Sequence, residues 1–135
     1  MGLDLSAEML GKARKKIETY GPRVSLLQRV YNAPVADGDP FDLIVFSYCL
    51  TMVNPGYAEV LRLCEQDLSA GGRLAVVDFH DSRFDWFSRW MGVNHVRMDG
   101  QILEALQGAG FKLQPCMVRS AYGGLWRWFT CLATR

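Results

Sequence analysis

The sequence is poor in the features that would place it quickly. It has only two histidines, and its four cysteines, Cys49, Cys64, Cys116 and Cys131, stand far apart with no C-x-x-C pair. A structural zinc site is therefore not expected, and no metal is assigned. Neither sign of charge dominates: 15 basic against 14 acidic residues leave a formal charge of +1. The one basic cluster, Lys12, Arg14, Lys15 and Lys16, reads as a solvated helix face, so no nucleic-acid partner is expected. The longest largely apolar run, Leu43 to Val53, is too short to cross a bilayer. No secretory signal is expected from the residues at hand, and no internal repeat or low-complexity tract is read in them. With most cysteines in apolar stretches, reduced thiols and a cytoplasmic location are the expectation.

What is present is the composition of a globular protein: 135 residues, half of them apolar and 12% aromatic. A single domain is expected over 1–135. The alternation of elements predicts an α/β fold. Gly2-Leu3-Asp4-Leu5 reads as the end of a strand, and Ser6 as the N-cap of a helix running to about Tyr20, with Leu10, Ala13 and Ile17 on one face. Val24 to Leu27 is a short strand, and a polar connection, Asn32 to Pro40, leads into the apolar strand Phe41 to Phe46. A helix from about Tyr57 to Leu68 is predicted to close at Gly71-Gly72, before the strand Leu74 to Phe79. The aromatic segment Phe84 to Met91 has helical spacing, and Asp99 can cap a helix that turns Ile102, Leu103 and Leu106 inward and stops at Gly110. Two strand-like segments, Phe111 to Arg119 and Leu125 to Thr134, meet through Tyr122-Gly123-Gly124 as an antiparallel hairpin.

Three passages, taken in this order, resemble the class I S-adenosylmethionine-dependent methyltransferases. They are Gly2-Leu3-Asp4-Leu5-Ser6-Ala7-Glu8-Met9-Leu10, then Phe41-Asp42-Leu43-Ile44-Val45, then Leu68-Ser69-Ala70-Gly71-Gly72-Arg73-Leu74. The resemblance implies a partial Rossmann-like methyltransferase fold, a mostly parallel sheet with a C-terminal antiparallel hairpin and the strand order 3-2-1-4-5-7-6. It lacks the family's first strand and glycine-rich loop, so the expectation is a chain that begins inside the fold and by itself binds cofactor poorly.

The cofactor implied is S-adenosylmethionine, with Asp4 on the ribose, Leu5 and Met9 against the adenine, and Ser47 completing the cofactor side. Asp4 has a second reading, as a cap for the first helix beside Ser6. At Val30, where many relatives carry an acid, no adenine acceptor is assigned.

Substrate is expected beyond the strand ends, at Tyr48, His80, Trp86, His95 and Tyr122. The stretches Phe46 to Val53 and Val76 to Phe79, with Trp86-Phe87, are similar to bacterial N-methyltransferases of lipid headgroups of the betaine-lipid type. Aromatic faces suit a nitrogen moving towards a permanent cation. Quinone or other small-molecule methylation stays open; no catalytic residue is assigned, with His80 and, behind it, His95 the candidates to act as a base or to orient a carboxylate. The segment with Phe84, Trp86, Phe87, Trp90 and Met91 reads either as a lid or as a peripheral membrane contact. A non-catalytic interaction module is the rival class. Exposed sheet edges would then favour self-association or pairing with an amino-terminal fragment.

Overall fold

The structure, a computed structural model, describes residues 1–53 and 55–135. It divides into two compact units, Met1–Ala33 and Pro34–Arg135.

The first unit holds strand β1 (Gly2–Asp4), helix α1 (Ala7–Ile17), a 3-10 turn over Glu18–Arg23 and strand β2 (Leu26–Gln28). Strands β1 and β2 pair in parallel, Asp4 opposite Gln28. Ser6 caps α1 as expected: its Oγ accepts from the Met9 N–H at 3.3 Å. Leu10 is buried while the lysines lie exposed. The chain leaves the helix through Gly21 at φ +59°, followed by Pro22, a pairing that a regular helix does not continue through.

In the second unit the elements are β3 (Phe41–Ser47), α2 (Tyr57–Asp67), β4 (Leu68–Phe79), α3 (Asp85–Val93), α4 (Gln101–Gly108), β5 (Lys112–Leu113), β6 (Met117–Ala121) and β7 (Trp126–Thr134). Strand β3 runs parallel to β4, and β7 lies antiparallel between β4 and the short strands β5 and β6. The order β3-β4-β7-β6 is the 4-5-7-6 portion of the implied sheet, and strand orientation is mixed.

Period-two alternation separates the two faces. Leu74, Val76, Phe129, Cys131 and Ala133 are buried, together with Val60, Leu61 and Cys64 of α2 and Ile102 and Leu106 of α4. The alternate residues Val45, Ala75, Val77, Met117, Thr130 and Leu132 line an open apolar groove of about 330 Å³.

Three local expectations are corrected. Helix α2 ends at Asp67 rather than at Gly71-Gly72, and the strand begins at Leu68. The buried Asp67 carboxylate accepts the Val35 and Ala36 N–H groups at 2.9 to 3.0 Å, which fixes the helix end, and Leu68 already pairs with Phe41. Gly72 serves a close approach instead: a Cβ there would lie 2.9 Å from the Ser69 carbonyl oxygen and 3.0 Å from that of Phe41. Second, the segment from Phe111 to Arg119 forms two short strands, separated by residues that include Pro115, which lacks the N–H a ladder needs. Third, Cys116 and Cys131 form a disulfide, with Cα atoms 4.5 Å apart. They stand one pair beyond the Met117–Thr130 pairing of the hairpin, so the register brings the sulfurs together. This overturns the expectation of reduced thiols at these two positions and withdraws the thiol argument for a cytoplasmic compartment. Among the described residues no helix is long and apolar enough to cross a membrane.

Candidate functional site

The cofactor-side residues of the first unit gather at the turn from β1 into α1. The Asp4 carboxylate accepts the Ser6 N–H at 2.8 Å through Oδ1. The capping reading of Asp4 is thus realised in part, one oxygen being held against the turn. Its other oxygen has no hydrogen-bond partner among the described residues, and a carboxylate has lone pairs for several donors. Leu5 and Met9 flank it, 66% and 52% exposed. An anchored acid beside two bare apolar side chains suits a ligand that joins hydroxyls to a flat ring.

Ser47, expected on the cofactor side, and the substrate-side candidates belong to the second unit, with Ser47, Tyr48 and His80 at the carboxyl ends of its two parallel strands. Ser47 ends β3 opposite Val77, and the Tyr48 N–H donates to the Val77 carbonyl at 2.8 Å. Tyr48 has φ +51°, an unusual conformation for a residue with a bulky side chain, and its ring lies 5.1 Å from that of Phe79. The turn that follows is gripped by Asp78. This wholly buried carboxylate accepts the N–H groups of Cys49, Leu50 and Thr51 on Oδ2 at 3.0, 2.8 and 3.3 Å. Its Oδ1 takes the Thr51 hydroxyl at 2.6 Å and the Phe79 N–H at 2.8 Å. Sequence reasoning included Asp78 and Thr51 only within longer stretches and gave neither a role of its own. The available signal was an acid at a core-facing position of an apolar strand, which must be satisfied by hydrogen bonds when buried.

His80 follows β4 directly. Its backbone is tied on both sides: its N–H donates to the Arg127 carbonyl, and its own carbonyl accepts the Gly100 N–H, each at 2.8 Å. The imidazole packs edge-on against Phe129 and under Gly100, whose φ of +73° lets the backbone come so close that a Cβ would stand 2.9 Å from His80 Cε1. The ring's Nδ1 is buried without a hydrogen-bond partner among the described residues. Next to it, Asp81 forms a paired contact with the Arg127 guanidinium, whose pKa the hydrogen bond to Asp81 and then the charge raise above its usual range.

The remaining candidates separate. Trp86 and Tyr122 are largely exposed, joined through Phe87 and Trp126: Trp86 meets Phe87 edge-on, Phe87 stacks on Trp126, and Trp126 contacts Tyr122. His95 lies in the turn closing α3, exposed, at φ +62°. Ser47, Tyr48 and His80 therefore share the strand ends, Trp86 and Tyr122 occupy an aromatic flank, and His95 belongs to a turn. Among the described residues no cluster of His, Cys, Asp or Glu is arranged to hold a metal.

Residues 1–72 match a family of methyltransferase domains. No curated protein matches. Among solved structures, the chain is similar to the N-methyltransferase NodS of Bradyrhizobium japonicum, in complex with S-adenosylhomocysteine. The TM-score is 0.79 at 13% identity, over 98% of this chain and 64% of that one. It is also similar to a phosphoethanolamine N-methyltransferase of Haemonchus contortus, with phosphomonomethylethanolamine and S-adenosylhomocysteine (TM-score 0.78, 15% identity, 99% of this chain, 42% of that one). The cyclase SpnF gives a TM-score of 0.78 at 15% identity, over 99% of this chain and 64% of that one. At such identities these likenesses establish an α/β methyltransferase fold, and the chain spans less than two thirds of the length of each of these three.

Proposed function

The chain belongs to the methyltransferase-domain family, and from that premise we propose that it is an S-adenosylmethionine-dependent methyltransferase domain acting on an amine, such as that of a lipid headgroup. The observation that carries the reading is the turn after β1, where Asp4 keeps one oxygen unbonded between the exposed side chains of Leu5 and Met9. These residues fit the cofactor: the acid accepts ribose hydroxyls through strong charge-assisted hydrogen bonds, and the two apolar side chains cover the adenine. S-adenosylmethionine supplies a methyl group made electrophilic by its sulfonium.

Displacement of that kind depends chiefly on alignment and on a neutral lone pair on the acceptor. Ser47 and Tyr48 shape the strand-end floor, and Asp78 holds their turn in place. His80, which follows β4 at the same strand ends, is the residue we assign to take a proton from the acceptor or to orient it, not through Nδ1, which is buried. Tyr48 offers an aromatic face to a nitrogen gaining positive charge, with Trp86 and Tyr122 on the flank. The N-methyltransferases among the similar structures support an amine acceptor.

Two rivals remain distinct in their consequences. Methylation of a quinone or another small molecule would use the same Asp4 site with a different acceptor. A non-catalytic interaction module on the same fold would not need that site at all. The test is a chemical-shift titration of the chain with S-adenosylhomocysteine, which registers millimolar as well as micromolar affinity. Saturable shifts at Asp4, Leu5 and Met9, lost in Asp4→Ala, are expected. Absence of shifts, or shifts unchanged by the substitution, overturns the assignment.

A further inference from the structure

Helix α3 carries an exposed stripe that the cofactor and acceptor sites do not use in full. Trp86, Trp90 and Val93 recur at helical spacing and are 63%, 57% and 79% exposed. Phe87, on the inner side, is buried against Val96 and Met98 and stacks on Trp126 at 6.1 Å with an 18° interplanar angle. The stripe is thus mounted on packed core. Tyr122 extends it, 79% exposed and 4.9 Å from Trp126 between ring centres. Phe84, also exposed, leads into it and meets Trp86 at 6.4 Å.

The chemistry of the stripe is specific. Its large members are two tryptophans and a tyrosine, each an apolar body with one polar tip, and those tips have no hydrogen bond to the protein among the described residues. Such side chains settle where hydrocarbon meets water. Arg89 projects from the same exposed arc of α3, and Arg83 packs its stem on Gly124, beside Tyr122. Neither arginine has a carboxylate partner among the described residues. Of the two acids that flank Arg83 in sequence, Asp85 lies in the first turn of α3, where the helix dipole favours it. Asp81, further back, is already paired with Arg127.

We propose that this face is a peripheral membrane-binding surface, with Trp86, Trp90 and Tyr122 set at the headgroup level of a bilayer and Arg83 and Arg89 on the phosphates of anionic lipids. Aromatic side chains on a rigid base lose little freedom on insertion, and an unpaired arginine gains by meeting a negative surface. The charge complementarity favours a lipid surface over a protein partner. The proposal does not depend on the identity of the methyl acceptor or on cofactor binding.

The experiment is co-sedimentation of the full chain with vesicles of phosphatidylcholine alone and of phosphatidylcholine with about 30% phosphatidylglycerol, whose anionic headgroups give the surface a negative potential. Binding should be strong only with the anionic lipid. The pair Trp86→Ala/Trp90→Ala should weaken it about tenfold or more. Arg83→Gln/Arg89→Gln should weaken it to a similar degree, and the loss should be reproduced in the parent by raised salt. All four side chains are solvent-exposed, and circular dichroism checks that the variants stay folded. No anionic-vesicle binding, or binding unaltered in the tryptophan pair, overturns the proposal. So does a dimer in sedimentation that the tryptophan pair dissolves, which would assign the face to a second copy of the chain. The S-adenosylhomocysteine titration is read separately, so failure of the cofactor reading leaves a different signature.

Discussion

Replacing Asp78 with alanine should be among the most damaging single substitutions in the second unit. The change removes the acceptor for the N–H groups of Cys49, Leu50, Thr51 and Phe79 and for the Thr51 hydroxyl. Leu50 and Thr51 are themselves buried, so the bonds from the Leu50 and Thr51 N–H groups and the Thr51 hydroxyl lose their partner where water does not reach. An orphaned buried donor costs about 1–3 kcal/mol. Taking the low end for these three, because the turn can shift to recover some hydration, gives a loss of about 3 kcal/mol. For a chain of this size that corresponds to a fall in midpoint of roughly 10–15 °C. Asp78→Asn should lose less, since its remaining carbonyl oxygen can serve the three N–H groups while the new amide meets the Phe79 N–H unfavourably. Urea and thermal unfolding of the parent and both variants measure the difference. If Asp78→Ala unfolds within about 1 kcal/mol of the parent, the argument that this carboxylate secures the turn is refuted.

Other outcomes follow from equally local features. Gly100→Ala places a Cβ 2.9 Å from His80 at a backbone φ of +73°, and should cost about 1–3 kcal/mol and shift the His80 ring resonances. An unchanged histidine spectrum would show that the two are not in contact. Asp67→Ala leaves the Val35 and Ala36 N–H groups without their acceptor, and hydrogen exchange at those two amides should accelerate at least about tenfold, if the loss reaches 1.4 kcal/mol per bond. Exchange rates that stay at parental values would contradict it.

The parts legible in the sequence are those set by local rules. Ser6 announced the start of α1 because an N-cap works through bonds within three residues, and the run at Phe41 announced β3 because it is short, rich in aromatic and branched residues and preceded by a turn-forming stretch. Asp99 likewise caps the start of α4, accepting the Gln101 N–H at 3.2 Å, although Gly100 takes the boundary conformation. The errors came from distant partners. Gly71 and Gly72 look like a helix stop, yet Gly72 answers to the carbonyl of Phe41 across the sheet, and Asp67 ends α2 by binding residues thirty positions earlier. The Cys116–Cys131 link depends on a hairpin register that spacing alone does not fix. At the candidate site, Tyr48 and His80 could be named because strand ends are where such folds bind ligands. Asp78 could not, since its role lies in what it holds.

That hold has a consequence for how the turn after β3 can vary. Of the five groups Asp78 binds, four are main-chain N–H groups, and one is the hydroxyl of Thr51. A grip on the main chain is indifferent to the side chains it passes under. The exposed side chain at position 48 can vary, within the limits that its positive φ sets, while the path of the backbone is kept from below. The clasp thus separates the main chain, which keeps its shape, from the exposed side chain above it, which is free to differ, and it does so with a single acid.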